Sequence, residues 1–416
     1  MKRNFLKTAS VTLMVTSLLL LSCNKKTEEI LPVDPVQINL TANQVSLIES
    51  ENTFSFDIFR KVADNADASE NILISPLSIS CALSMTLNGA NGATRDSMLA
   101  ALRENGITPE IINNSYKNLS AALLSVDKRV LISIANSVWT EKNFVVKKPF
   151  TDILTGFYSA ESKSFDITDL LAPTQMNNWI ESKTNGLIKN MVGKLDDNTV
   201  MLLINAIYFK GKWKSQFNSG NTIQESFTKP GGATSDVPMM KQTSNFKSYS
   251  GNGFVLAEFP YGQGNFVMDV ILPNDNNGTG SIIPLISDSS FKEWLNKMSE
   301  HKTNLTFPRF KYGYKKQLKD ILSAMGMGIA FNDNADFSNI SDIPLLISYV
   351  LHQAFIETNE EGTEAAAATV VAIGATVASP TDPMVLNLNH SFIYIIRETS
   401  TNSILFMGRV ADPLAN

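Results

Sequence analysis

The chain has 416 residues, of which 44% are hydrophobic and 18% are charged, so it holds enough apolar material for a large folded core. Its formal net charge of −5 offers no basic face for nucleic acid, and we expect no nucleic-acid partner. The two cysteines, Cys23 and Cys81, are too few for a disulfide framework.

Residues 1–22 have the pattern of a secretory signal peptide, because three basic residues precede a short apolar stretch that is too short to span a membrane. The Leu-Leu-Ser-Cys sequence at its end resembles a bacterial lipobox, which implies cleavage before Cys23 and lipid attachment to it. An ordinary signal peptide followed by a chance cysteine is the alternative. We therefore expect a secreted protein anchored by lipid at the cell envelope, on the outer membrane, facing the periplasm or the cell surface.

Residues 23–42 are polar and contain two prolines, which predicts a flexible tether between the lipidated cysteine and a folded domain at 43–416. Cys81 lies in an apolar run and is predicted to be a small buried hydrophobe rather than a nucleophile.

The periodicity of the folded part predicts a mixture of helices and strands. Helical periodicity begins near Gln44. A short strand at 71–75 ends at Pro76, which suits the first turn of a helix. Further strand patterns occur at 135–139, 202–213, 268–273, 347–357 and 392–410.

The stretch 365–378 has no charge, no proline and no residue larger than isoleucine. Its alanines favour a helix, whereas its β-branched residues favour a strand. At a period of two, Thr363, Ala365 and Ala367 fall on one small face that fits between packed strands. A plain buried strand and an aggregation-prone exposed segment are alternatives, and the stretch is shorter than the roughly 20 residues of a membrane span.

Ten residues at the start of this stretch resemble the hinge of the reactive-centre loop of inhibitory serpins: Glu360, Glu361, Gly362, Thr363, Glu364, Ala365, Ala366, Ala367, Ala368 and Thr369. Other serpin motifs follow in family order, including Ser-Pro-x-Ser at 75–78, Asn-Ala-Ile-Tyr-Phe-Lys-Gly-Lys-Trp at 205–213 and the tail at 389–410. The tail departs from the family at Ser391, where proline is usual.

The resemblance covers about residues 43–413. It implies an α+β serpin fold with a large central, mostly antiparallel β-sheet, two further sheets, eight to nine helices and an exposed reactive-centre loop at about 360–382.

The resemblance further implies a suicide substrate: a serine protease cuts the loop, is trapped as an acyl-enzyme, and the loop inserts as a new strand of the central sheet. Counting from Gly362 places the reactive bond between Thr376 and Val377, with Ala375 and Ala378 as alternatives. No lysine or arginine occurs between residues 364 and 396, so we expect an elastase-like or subtilisin-like target rather than a trypsin-like one. A papain-like cysteine protease is an alternative target.

Two further groups are assigned by the resemblance. The shutter, a hydrogen-bonded cluster beneath the central strands, is implied to comprise Ser75, Ser78, Asn205 and His352. The breach, where the loop first enters the sheet, is implied to comprise Trp213, Arg309 and Glu360. Without the resemblance, His352 on an apolar strand indicates a core histidine.

The chain lacks the G-x-S-x-G, H-E-x-x-H and P-loop motifs and has only three histidines, so we expect no enzyme, no metal and no cofactor. The expected partners are the target protease, in a covalent complex, and a membrane, through the lipid anchor. The resemblance implies a monomer with a risk of loop-sheet polymerisation. A non-inhibitory serpin that acts as a binding or chaperone-like module is the alternative function.

Overall fold

A computed structural model describes residues 34–275, 278–363 and 382–415. Eight α-helices lie in these ranges: α1 (Ala42–Asp64), α2 (Pro76–Leu87), α3 (Gly92–Ala101), α4 (Pro109–Ser125), α5 (Lys148–Tyr158), α6 (Ala172–Lys183), α7 (Asp288–Asn296) and α8 (Lys319–Leu322). Single-turn helical segments occupy Ser219–Asn221, Thr279–Ser281, Ile283–Leu285, Ser323–Met327 and Gly328–Phe331.

The strands of the described residues are β1 (Ile72–Ile74), β2 (Val130–Glu141), β3 (Glu161–Phe165), β4 (Met201–Lys212), β5 (Ile223–Thr228), β6 (Thr234–Gly251), β7 (Phe254–Tyr261), β8 (Phe266–Pro273), β9 (Ser299–Pro308), β10 (Phe310–Gln317), β11 (Leu351–Thr358), β12 (Gly362–Thr363), β13 (Met384–Asn387), β14 (Phe392–Glu398) and β15 (Ile404–Val410).

Six of these strands form a sheet that we call the central sheet, in the order β10-β11-β12-β4-β2-β3. Neighbouring strands are antiparallel except for β2 and β3, which are parallel. The prediction of an α+β fold with a mostly antiparallel central sheet is therefore confirmed.

The remaining nine strands form one continuous sheet in the order β1-β15-β14-β8-β7-β6-β9-β13, with β5 attached to β6. The resemblance implies two further sheets, and here their strands are joined by β6. That strand is 18 residues long and pairs with β5, β9 and β7 in turn along its length. One long strand can therefore belong to both groups.

The two faces of the central sheet bury different side chains because alternate residues of a strand point to opposite faces. On β4, Leu202 and Ile204 belong to a small apolar cluster with Trp179 of α6. Ile207 and Phe209 belong instead to the main core, which lies between the central sheet, the helices and the second sheet. The polar Asn205 therefore lies on the same face as the main core.

Helix starts follow the capping chemistry of their sequences. Thr41 and Gln44 form a reciprocal capping box that begins α1 at Ala42, close to the predicted start. Ser75 caps α2: its hydroxyl accepts a hydrogen bond from the Ser78 backbone N–H at 3.3 Å, and Pro76 occupies the first turn. The cap brings two predicted shutter serines together.

The last residues of the predicted tether lie on the body of the protein. The Val36 N–H donates to Asn265 Oδ1 at 2.9 Å, and the Asn265 side-chain amide donates to the Val36 carbonyl at 2.6 Å. The Ile38 N–H donates to the Ser400 hydroxyl at 3.1 Å. Within the described ranges, no helix has both the length and the apolar character needed to cross a membrane.

Candidate functional site

Two residues of the predicted hinge form a short strand inside the central sheet. In β12, Thr363 is paired with Thr358 of β11 on one side and with Gly211 of β4 on the other, and Gly362 is paired with Lys212. In the described part of the chain, no residue of β11 is paired with a residue of β4. The hinge therefore lies between two strands that are not hydrogen-bonded to each other.

The close approach of β12 to β4 depends on glycine. Gly362 has a φ of +150°, and a Cβ added there would lie 2.0 Å from the Gly211 carbonyl oxygen and 2.6 Å from Lys212 Cα. Both neighbours are backbone atoms, which cannot turn away as a side chain can. Any larger residue at position 362 must therefore displace the hinge or the end of β4.

Two aromatic residues pack beside the hinge: Tyr261 at the end of β7 in the second sheet, and Trp213 directly after β4. The Tyr261 and Thr363 hydroxyls lie 2.7 Å apart, and both residues are buried. Trp213 stacks on Tyr261 with ring centroids 4.3 Å apart, and its indole N–H donates to the Asn359 carbonyl at 2.9 Å. The Trp213 backbone N–H donates to the Glu361 carbonyl at 2.7 Å. Trp213 thus contacts the hinge through its backbone, and the residue before the hinge through its side chain.

The three predicted breach residues meet at the base of the hinge. Arg309 Nε donates to Glu360 Oε1 at 2.8 Å, and Arg309 Nη2 and the Thr222 hydroxyl donate to the same oxygen. Burial disfavours the charge of Glu360, but these hydrogen bonds outweigh it, so the pKa of Glu360 lies below its ordinary value. The carboxylate is therefore held charged at the point where β12 begins.

The four predicted shutter residues also form one connected cluster. The Ser75 hydroxyl donates to the Leu405 carbonyl at 2.7 Å, and the Ser75 N–H donates to His352 Nε2 at 3.1 Å. The Ser78 hydroxyl donates to Asn205 Oδ1. The cluster therefore ties α2 to β4 and β11, the two strands that flank the hinge.

His352 accepts a hydrogen bond and so must be neutral at the nitrogen that faces Ser75. Burial lowers its pKa to about 4, because a charged imidazole would lose its hydration. His352 is therefore a neutral, hydrogen-bonded strand residue at physiological pH.

Two residues of these groups were missed by the motif analysis, which assigned them only to strands. Asn136 of β2 accepts from the Asn205 amide at 2.6 Å and donates to the Tyr158 carbonyl at 2.7 Å, which extends the shutter. Tyr261 holds Thr363. Asn136 carried a signal in the sequence, since it is a polar residue inside an apolar strand run, whereas Tyr261 carried none.

Several predicted site residues lie outside the described residues: Cys23, the hinge residues Glu364, Ala365, Ala366, Ala367, Ala368 and Thr369, and the reactive-bond candidates Ala375, Thr376, Val377 and Ala378. Of the side chains that are described, no group of three or more histidine, cysteine, aspartate or glutamate residues could hold a metal ion. Cys81 is buried, and burial raises the pKa of its thiol.

A family model described as "Serpin (serine protease inhibitor)" matches residues 49–413. Serpin B3 of Homo sapiens is 34% identical over 394 residues, which cover 88% of this chain and 100% of that protein. Neuroserpin of Gallus gallus is 33% identical, with 83% of this chain and 87% of that protein covered. An uncharacterized serpin-like protein of Thermococcus kodakarensis is 32% identical, with 92% and 89% covered.

Solved structures agree with this match. The native state of tengpin, a thermophilic serpin, superposes with a TM-score of 0.81 at 32% identity, covering 92% of this chain and 97% of tengpin. Thyroxine-binding globulin in complex with thyroxine superposes with a TM-score of 0.80 at 27% identity, covering 89% of this chain and 100% of that one.

Proposed function

Because the chain belongs to the serpin family, we propose that it inhibits serine proteases as a suicide substrate. Members of this family are generally protease inhibitors rather than catalysts. In the proposed cycle a protease cuts the reactive-centre loop and becomes an acyl-enzyme. The freed end of the loop then inserts into the central sheet before the ester is hydrolysed.

One observation carries the proposal: Gly362 and Thr363 already lie as a strand between β11 and β4, which do not pair with each other. A loop that continues from Thr363 in the same antiparallel register would pass Lys210 next and reach Met201 at the far end of β4. After Glu364, residues 365–378 suit such a position, since none of them is charged, none is larger than isoleucine and none is a proline. Insertion would therefore extend a strand that has already begun.

The energy available is large enough for the proposed trapping step. About ten new backbone hydrogen bonds at about 0.5–1.5 kcal/mol each would release roughly 5–15 kcal/mol. Loss of a single oxyanion-hole donor in a distorted protease costs about 2.7–4 kcal/mol of catalysis. Insertion can therefore distort the protease far enough to stall hydrolysis of the acyl-enzyme.

The proposed reactive bond is Thr376–Val377, with Ala375 and Ala378 as neighbouring candidates. The small aliphatic residues of this stretch suit the apolar pocket of an elastase-like or subtilisin-like protease. A papain-like cysteine protease is a second candidate target, because such enzymes can also accept apolar neighbours of the cleaved residue.

A non-inhibitory role is the second candidate function. Thyroxine-binding globulin, crystallised with thyroxine, shares this fold, so the fold alone does not require protease inhibition. The composition of the hinge favours inhibition, since its run of four alanines, Ala365 to Ala368, contains no bulky or charged residue and no proline that would oppose insertion.

We also propose that residues 1–22 act as a signal peptide and that Cys23 carries lipid, which would anchor the inhibitor at the cell envelope on the outer membrane. More than one acyl chain on Cys23 would be needed, because a single chain binds a membrane only marginally. Metabolic labelling with a fatty acid would test this: label incorporation that is lost in Cys23→Ala supports the anchor, and equal labelling of both proteins contradicts it.

We further propose that the protein is a monomer, with loop-sheet polymerisation as a risk on heating.

A protease panel tests the inhibitory function. The purified protein is mixed with elastase-like, subtilisin-like, trypsin-like and papain-like enzymes and run on denaturing gels. A covalent band at the summed mass supports inhibition, and mass spectrometry of that band locates the reactive bond. Clean cleavage of the loop by every enzyme, with no such band, would refute inhibition.

A hinge variant tests the insertion step. Thr363→Arg places a large charged side chain at a buried position of β12, so it should turn the inhibitor into a substrate. Thr234→Arg, at an exposed position of β6, is the matched control and should still form the covalent band. A Thr363→Arg protein that traps protease as well as wild type would contradict insertion.

A further inference from the structure

Two carboxyl groups lie buried in the helical part of the main core. Glu51 is on α1 and is 5% exposed, and Glu104 follows the end of α3 and is 0% exposed. The Ser80 hydroxyl of α2 donates to Glu51 Oε1 at 3.1 Å. Neither carboxyl oxygen of Glu104 has a hydrogen-bond partner in the structure.

No cation compensates for these acids. The titratable groups that act on them are Cys81 of α2, Tyr116 of α4 and Tyr158 of α5, each of which is neutral or negative. Basic side chains on α1, α3 and α5 pair elsewhere: Arg60 with Asp57 at 3.7 Å, Arg95 with Asp96 at 3.9 Å, and Lys148 with Asp152 at 2.6 Å. Arg103, which follows α3, pairs with Asp57 at 2.7 Å. Among the described residues, no lysine or arginine bridges to Glu51 or Glu104.

A buried carboxylate without a cation costs several kcal/mol, whereas a protonated carboxyl group in the same place costs much less. The charge of Glu51 acts on Glu104, so ionisation of both groups costs more than ionisation of one. The folded state is therefore expected to hold protons on this pair at a pH where the unfolded chain would release them.

The pair is connected to the shutter through α2. Ser80, which binds Glu51, lies two residues from Ser78, which binds Asn205. The Cys81 thiol next to Ser80 lies 3.8 Å from Asn136 Oδ1, and Asn136 binds the same Asn205. If charge on Glu51 or Glu104 displaced α2, these hydrogen bonds would therefore transmit the displacement to Asn205 of β4.

We propose that Glu51 and Glu104 form a buried proton-binding pair that stabilises the native fold most in acidic solution, and less as the pH rises through neutrality, by acting on α2. The device does not depend on the proposed inhibitory function, because it concerns the stability of the uncut protein.

The pKa directions agree with this assignment. Burial raises the pKa of Glu51 from 4.5 to about 7, and burial, together with the charge of Glu51, raises the pKa of Glu104 well above its ordinary value. Because the folded pKa lies above the unfolded one, the stabilisation is complete below about pH 4.5 and is lost as the pH rises through 7. Between about pH 5 and about pH 9, Glu51 alone should raise the unfolded-to-folded ratio roughly 70-fold.

The test compares urea unfolding from about pH 5 to about pH 9 for wild type, Glu51→Gln, Glu104→Gln and the double variant. Glutamine keeps the size of the side chain but cannot ionise. Glu49→Gln, an exposed position on the same helix, is the matched control. We expect the free energy of unfolding of wild type and of Glu49→Gln to fall, relative to that of the double variant, as the pH rises over this range. His352 titrates in every one of these proteins, so its contribution cancels in the comparison.

A second measurement does not require the variants to be stable. Infrared spectroscopy of the wild-type protein at about pH 6 should show the C=O stretch of a protonated carboxyl group, and the band should disappear as the pH rises toward 9. A native wild-type protein without this band at about pH 6 would overturn the proposal. A double glutamine variant that loses as much stability as wild type between about pH 5 and about pH 9 would overturn it too.

Discussion

The hydroxyl of Tyr261, at the end of β7, lies 2.7 Å from the hydroxyl of Thr363 in the hinge, although the two residues are 102 positions apart in the chain. Removal of either hydroxyl leaves the other buried without this partner, which costs about 1–3 kcal/mol. Tyr261→Phe and Thr363→Val should therefore each lower the free energy of unfolding by that amount, measured by urea denaturation. Because the double variant removes both partners, its loss should be smaller than the sum. Strictly additive losses would show that the hydroxyls do not interact.

Substitution of Gly362 should displace the hinge. In Gly362→Ala the new Cβ would meet the Gly211 carbonyl oxygen, so the backbone must move at a cost of about 1–3 kcal/mol. The Trp213 backbone N–H, which donates to the carbonyl of Glu361 in the hinge, should then exchange with solvent faster in hydrogen-exchange measurements. Gly193→Ala is the control, because nothing lies within 4 Å of a Cβ added there. An unchanged exchange rate at the Trp213 N–H would contradict the close packing of the hinge against β4.

The Arg309–Glu360 pair should stabilise the base of the hinge in a manner that depends on salt and pH. Arg309→Met leaves a largely buried carboxylate without its cation, and the expected loss is about 1–3 kcal/mol. Because the pKa of Glu360 is lowered in the folded state, its contribution is present above the ordinary value of 4.5 and is lost as the pH falls through the lowered value.

The exposed Lys311–Glu357 pair provides the control for that experiment. Lys311→Met should change the free energy of unfolding by no more than about 1 kcal/mol. If both variants behave alike at neutral and acidic pH, the Arg309–Glu360 pair is an ordinary surface contact.

His352 should make the fold less stable in acid. Its pKa is lowered to about 4 from 6.5, so the stabilisation is complete above 6.5 and is lost as the pH falls toward 4, by roughly 3 kcal/mol. Glu51 contributes a slope of opposite sign over part of this interval, so the comparison is best made in a Glu51→Gln background. There, His352→Gln should abolish most of the acid-induced loss measured by urea unfolding, and an undiminished loss would point to other groups.

Cleavage of the loop should make the protein more stable if the proposed insertion occurs. The loop strand would add roughly 5–15 kcal/mol of hydrogen bonding, so the nicked protein should melt more than about 10 °C above the intact one in scanning calorimetry. Thr363→Arg, nicked in the same way, should show a much smaller increase. Equal melting temperatures of intact and nicked wild type would mean that no strand is added.

Local chemistry made much of this molecule predictable. The Ser-Pro-x-Ser run predicts both the strand end and the capped start of α2, because proline and a capping serine act within one helical turn. The predicted shutter residues are hydrogen-bonded in one cluster and Arg309 is paired with Glu360. These groups were predicted from short runs that resemble those of the family. The apolar run at 202–213 likewise predicts a strand, which the structure has as β4.

The sequence by itself determined the family and the α+β class and predicted the position of the hinge, since each rests on consecutive or regularly spaced residues. Only the tertiary structure decided which distant groups meet: Thr363 with Tyr261, Asn136 with Asn205, and Glu51 with Ser80. These contacts depend on strand register and helix packing, which arise from the burial of the whole core and leave no local pattern in the chain.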